Sequence, residues 1–201
     1  GWMQHDQKQF PAALTTFQNQ LKEVPQGNLA ADANFLAGEC QFRQDKFAEA
    51  LPLYAAVIAA KSERFHAKAL YRSGICATHL KQWHQAQQHF TALIQAFPKF
   101  EQLAEARFGV GVAQQNQNQF DAAKATFLQV TKESRTETAA KARFMMGQCA
   151  LSAKNHSEAA EHFLEAAFGY PYEEWQCQGQ FEAAKCFVEL KDTEKARESL
   201  E

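Results

Sequence analysis

The sequence predicts an all-α fold, a solenoid of antiparallel helix pairs, and three observations carry that reading. A small residue recurs every 36 or 37 positions, as Gly1, Gly38, Gly74, Gly111, Gly147 and Ala184. Each anchor is followed by the same marks: nine residues on come Phe10, Phe47, Trp83, Phe120, His156 and Thr193; twelve on, Ala13, Ala50, Ala86, Ala123, Ala159 and Ala196; sixteen on, Phe17, Tyr54, Phe90, Phe127, Phe163 and Leu200. Spacings of three and four within each unit place these residues on single helical faces. A period of 20–50 residues is the mark of stacked supersecondary units rather than of a globule around one site.

Each unit divides into a first helix around the anchor and a second helix that starts nine residues later. First helices are predicted over 1–7, 29–44, 65–81, 101–117, 136–153 and 173–190. Five residues before the anchor stand Ala33, Ala69, Ala106, Ala142 and Gly179, and two after it Cys40, Cys76, Ala113, Cys149 and Cys186. With the anchor's predecessor they form a small-residue face, suited to close helix contact. A second face carries Phe35, Tyr71, Phe108, Phe144 and Phe181, three before the anchor, with the residues one and four after it. Polar turns follow, such as Arg43-Gln44-Asp45-Lys46 and Asn116-Gln117-Asn118-Gln119.

Second helices are predicted over 10–23, 47–60, 83–97, 120–133, 156–168 and 193–201, the ring–alanine–ring stripe facing inward. Pro25, Pro98 and Pro171 mark three of their ends, since proline disfavours helix in the residue before it. These prolines recur every 73 residues, which reads as duplication of a two-repeat cassette. The whole is one solenoid of five to six repeats, over 1–28, 29–64, 65–100, 101–135, 136–172 and 173–201. Neither end reads as a polar cap, so the chain is expected to be part of a longer protein, with exposed ends as a route to homodimerisation.

Composition excludes some functions. Lys and Arg total 21 against 23 Asp and Glu, so no basic surface suits a nucleic acid. Equivalent positions alternate in sign, as Asp32, Lys68, Glu105 and Lys141, and no basic stripe forms. No apolar run reaches membrane-spanning length, so no direct membrane insertion is expected. Five cysteines, an odd number, argue against a closed disulfide framework. Four stand in the packing row, and all five read as small buried hydrophobes. No phosphate loop, metalloprotease pair or CxxC is present. His79, His84 and His89 lie five apart across a predicted turn, and His156 occupies the ring slot of its repeat, so neither metal nor cofactor is expected.

The pattern small-x11-Ala-x3-aromatic with a later proline resembles the tetratricopeptide repeat, most fully in Gly74, Trp83, Ala86, Phe90 and Pro98. The family's Trp, four before the Gly, is replaced here by Asn34, Leu70, Arg107, Arg143 and Gln180. Its longer period makes the chain similar to a bacterial cell-envelope branch, the outer-membrane-assembly and Tol–Pal-associated repeat proteins. That likeness implies periplasm or cell envelope, whereas the cysteines point to a reducing compartment such as the cytoplasm.

The resemblance implies a right-handed superhelix whose first helices line a concave groove for an extended peptide or partner helix. On this chain the groove residues are Phe35, Glu39, Tyr71, Arg72, Ile75, Phe108, Val112, Lys141 and Phe144. Rings and aliphatics would anchor the partner, while Glu39, Arg72 and Lys141 set its register. Trp2 and His5 occupy the corresponding rows of the first unit. The family's clamp for chaperone C-terminal carboxylates is matched by Lys68 and Arg72, but Glu39 stands where that clamp needs an Asn and would repel a carboxylate. The expected function is a non-enzymatic protein–protein interaction scaffold that binds a protein or peptide. The alternative is a substrate-recruiting or regulatory arm of an enzyme whose catalytic domain lies outside this chain.

Overall fold

A computed structural model describes residues 1, 3–4, 7–25 and 29–200. From Phe10 on, the described residues form eleven helices. They are α1 (Phe10–Glu23), α2 (Ala30–Phe42), α3 (Phe47–Ala59), α4 (His66–His79), α5 (Trp83–Ala96), α6 (Leu103–Asn116), α7 (Phe120–Glu133), α8 (Glu137–Ser152), α9 (His156–Phe168), α10 (Glu173–Glu189) and α11 (Thr193–Glu198). The predicted helix over 1–7 lies partly outside the described residues; Met3 and Gln4 are helical. The chain divides into two compact units, Gly1–Glu101 with α1–α5 and Gln102–Glu201 with α6–α11. Within each unit every helix packs on the next, and in the second α6 also meets α8 and α8 meets α10.

The anchor row is small for a steric reason. A Cβ on Gly38 would stand 2.7 Å from Tyr54 Cε1, on Gly74 2.5 Å from Phe90 Cε1, on Gly111 2.5 Å from Phe127 Cε1 and on Gly147 2.6 Å from Phe163 Cε1. Each ring sixteen residues on lies flat against the glycine of its own repeat, and these rings are fully or almost fully buried. In the last repeat Ala184 replaces the glycine and Leu200 the ring, but Leu200 is 62% exposed and does not repeat the burial of the rings. The alanine row at twelve is buried throughout, as is the small face of the first helices, including Cys40, Cys76, Cys149 and Cys186. Cys177 departs from the sequence expectation: it is exposed, because it lies outside the packing row on α10.

The turn inside each pair follows one geometry. Lys8, Asp45, Lys81, Asn118, Lys154 and Lys191, each seven after its anchor, have φ between 57° and 61°. In the second repeat the Asp45 N–H donates to the Phe42 carbonyl at 3.0 Å and the Lys46 N–H to the Gln41 carbonyl at 3.0 Å. The same two bonds recur at Lys81–Gln82, Asn118–Gln119, Lys154–Asn155 and Lys191–Asp192. This is the Schellman closure of a helix, which satisfies the last carbonyls through one left-handed residue. Glycine is the usual occupant; here every repeat uses a side-chain-bearing residue.

Candidate partner-binding site

The face that carries the predicted groove residues follows from what the pairing helices leave over. The small face of each first helix is consumed by its neighbours, so the rows three before, one after and four after the anchor are what the first helices offer outward.

In the first unit, Phe35 is only 7% exposed. It stacks on Phe65 at 4.3 Å and tilts against Tyr54 at 5.8 Å, so its ring belongs to the core. Tyr71 is half-buried between Phe90 at 6.1 Å and Phe100 at 5.6 Å. Ile75 and Thr78, one and four after the anchor, are half-buried beside it. Trp2 and His5 lie outside the described residues.

Glu39 and Arg72 join each other. The guanidinium donates to both carboxylate oxygens, Nε to Oε1 at 2.7 Å and an Nη to Oε2 at 3.1 Å. The Tyr54 hydroxyl donates to Oε1 at 2.6 Å, and the Arg72 guanidinium lies 4.6 Å from the centre of the Phe42 ring. Glu39 is buried, so its charge is held by three donated hydrogen bonds from two repeats. Burial, then the adjacent Glu39 charge and hydrogen bond, push the Tyr54 hydroxyl far above the usual tyrosine range. Burial opposes the charge on Arg72, but the Glu39 carboxylate outweighs it and raises the guanidinium's pKa further. A sequence signal was present: Tyr54 is the one hydroxylated ring in its row, and Glu39 the one acid in a row otherwise aromatic, aliphatic, Gln or Lys.

In the second unit, Phe144 is 6% exposed, between Phe163 at 4.9 Å and Trp175 at 5.5 Å. Phe108 rests on Phe127 at 5.5 Å and is half-buried, as is Val112. Lys141 pairs with Glu137 at 3.1 Å on its own helix and lies 5.6 Å from the centre of the Trp175 ring. The indole Nε1–H of Trp175 donates to Glu137 Oε1 at 3.2 Å. The Lys141 bond, then the Trp175 bond, hold the Glu137 carboxyl below the usual range. Phe181, the last of the ring row, is 57% exposed. With Leu151, Val188 and Leu200 it lines an apolar cleft of about 660 Å³ on α10 and α11, rimmed by Glu182, Lys185 and Arg197. Phe181, Val188 and Leu151 fall in the outward rows legible in the sequence, while the cleft they line is visible only in the fold.

No group of three His, Cys, Asp or Glu among the described residues is arranged to hold a metal ion. No described helix is long and apolar enough to cross a membrane.

Comparison with known proteins fits this geometry. A tetratricopeptide repeat model matches residues 6–64 and 111–174, and a second model of that description matches 68–99. None of the curated protein sequences matches the chain. Among solved structures it is similar to YrrB, described as a tetratricopeptide repeat protein with an unusual peptide-binding site, at 17% identity and TM-score 0.67 over 91% of this chain and 88% of that one. It is similar to MamA from Desulfovibrio magneticus RS-1, at 18% identity and TM-score 0.71 over 86% and 92%. The apo form of RapI superposes with TM-score 0.78 at 16% identity, over 92% of this chain and 56% of RapI. At these identities the likeness is one of fold.

Proposed function

The chain belongs to the tetratricopeptide repeat family, and on that premise we propose that it is a non-enzymatic scaffold in which each unit offers a peptide or partner helix the outward rows of its own first helices. One observation carries this reading: the rows that pair the helices are buried, while Tyr71 and Ile75 in the first unit and Phe108 and Val112 in the second keep apolar surface in contact with solvent. Half-exposed rings and branched aliphatics on preformed helices supply binding area without the cost of ordering a loop. The peptide-binding site attributed to YrrB supports the same use of the fold.

The charged residues act in two ways on this reading. Arg72 and Glu39 hold two repeats in register, and the flat face of Arg72 over Phe42 stiffens the surface around Tyr71. Lys141, 41% exposed along its side chain, keeps donors available to a partner's carboxylate.

The test is a peptide-display selection on the purified chain, followed by titration of the selected peptide into wild type and Val112→Glu. A buried charge at a peptide-covered position is expected to weaken binding at least tenfold while the helical signal and melting temperature hold. Equal affinity of the two proteins would remove this face from the function.

A further inference from the structure

A second cleft, of about 490 Å³, opens in the second unit with no outward-row residue in its lining, which consists of Arg135, Arg143, Leu164, Glu165, Phe168, Gly169 and Tyr170. Arg135 sits in the α7–α8 connection, Arg143 on α8, and the others on the end of α9 and the residues after it. Two of these residues break the repeat, and a third sits in a slot of variable type. Phe168 stands 21 after its anchor, where other repeats have Lys22, Ala59, Gln95 and Lys132. Arg135 stands where Pro25, Pro98 and Pro171 mark other helix ends; Arg143 shares its slot with Arg107, where other repeats have Asn34, Leu70 and Gln180. Helix pairing therefore does not require any of the three.

Their environment is unsatisfied. Phe168 is 69% exposed, a large ring presented to solvent at the cleft rim. Arg143 is tied to Glu165 at 2.8 Å through one Nη, while its Nε is buried without an acceptor. Glu165 is further engaged by His162 Nδ1 at 3.3 Å. Arg135 is exposed, and no acceptor or carboxylate partner is found for it among the described residues. Two guanidiniums thus face one carboxylate across a cleft with an aliphatic and aromatic wall.

We propose that this cleft binds a carboxylate carried beside an aromatic ring, with Arg135 and Arg143 on the carboxylate and the ring against Phe168 and Leu164. Guanidinium matches carboxylate geometry with paired N–H donors, and the volume is that of a small-ligand site. The Glu165 charge and the C-terminal end of α9 are both negative, which leaves room for one added negative charge rather than two. The site therefore selects a carboxylate over a phosphate dianion. A free aromatic acid and the C-terminus of a peptide ending in an aromatic residue share this chemistry.

The experiment is an amide-detected NMR titration of the whole chain with N-acetyl-phenylalanine, its neutral amide, inorganic phosphate, and a pentapeptide ending in a free Phe carboxylate. Saturable shifts at Phe168, Gly169 and Tyr170 are expected with the acid, none with the amide, and weaker ones with phosphate. Arg135→Ala, a loop substitution outside every buried cluster, is expected to weaken acid binding at least tenfold, and Phe168→Ala at least fivefold. A pentapeptide affinity tenfold above that of the small acid assigns the site to peptide termini; equal affinity assigns it to free aromatic acids. Equal shifts with acid and amide, no saturation with either the small acid or the pentapeptide, or unchanged affinity in Arg135→Ala would overturn the proposal.

Discussion

Gly111→Ala tests the steric logic of the repeat. The added methyl would stand 2.5 Å from Cε1 and 2.7 Å from Cδ1 of Phe127. Carbon atoms pack at about 3.5–4.0 Å, so the ring must recede by about 1 Å. It has little room: Phe127 is fully buried, in a cluster with Ala123, Val130, Ala142, Met146 and Cys149, and Phe108 lies 5.5 Å away. Overpacking of this kind costs about 1–3 kcal/mol. Alanine in place of a mid-helix glycine returns about 1 kcal/mol through helix propensity. The net expectation is a loss of about 1 kcal/mol. In a Phe127→Leu background the ring is gone, and the same Gly111→Ala change should stabilise by about 1 kcal/mol. Urea midpoints at constant m-value, followed by far-ultraviolet circular dichroism, give the four corners of the cycle. If Gly111→Ala has the same sign and size in both backgrounds, the glycine row is not there to seat the rings, and the steric account fails.

Three further outcomes follow from local geometry. Lys154→Gly should stabilise the chain by about 1 kcal/mol, because Lys154 is exposed, sits at φ 58°, and a side chain in the left-handed region costs about that much; an unchanged or lower thermal midpoint would count against it. Under native conditions a thiol reagent should modify Cys177 alone, with the other four reacting only on unfolding, as mass spectrometry can read. Burial pushes Cys40 and Cys149 up to about 11 and Cys76 to about 12. The unfolded chain then loses these protons near pH 9 while the native one keeps them, so stability is full below about pH 9 and falls as pH rises towards the folded values, by up to about 1.4 kcal/mol per pH unit for each thiol; Cys76→Ala should flatten that slope in alkaline urea titrations. Arg72→Leu leaves the Glu39 carboxylate buried on the Tyr54 hydroxyl alone and should cost about 3 kcal/mol, with part recovered by adding Glu39→Gln; an urea midpoint shift equal to that of an exposed arginine would show the pair to be inert.

The helix pairs were legible because their signal is repeated. Six copies of a small residue, an alanine and a ring fix which faces meet, and the helices fall within a few residues of their predicted spans. The Schellman turns were not legible, since Lys, Asp and Asn occupy the left-handed position instead of glycine; the regular seven-residue offset shows only once φ is known. The ring row three before the anchor was read as one surface, yet its members differ. Phe35 and Phe144 are covered by Phe65 and Trp175, aromatic residues at the start of the following pair. Phe108 has no such aromatic cover: Thr138, at the place equivalent to Phe65, bonds Glu105 instead. Whether a ring is surface or core is thus decided by one residue of the next repeat, outside the periodic marks.

That dependence locates where recognition resides. A residue that keeps the period is fixed by its packing: Gly111 by Phe127, and Ala123 and Cys149 by full burial in the same cluster. Changing it perturbs folding before it perturbs a partner. A residue off the period has no such obligation, so its chemistry is free to match something else. Glu39 uses that freedom inward, taking the Tyr54 hydroxyl and the Arg72 guanidinium to link two repeats, and so do Lys141 and Trp175. Ile75 and Val112 hold a periodic position and are half-buried, Val112 resting in part on the cluster around Phe127, so each keeps a remaining face for an outside chain. Arg135 and Phe168 go furthest, a cation with no carboxylate partner among the described residues and an exposed ring, both lining one cleft. The fold therefore follows from what the six units have in common, and the choice of partner follows from where single units differ.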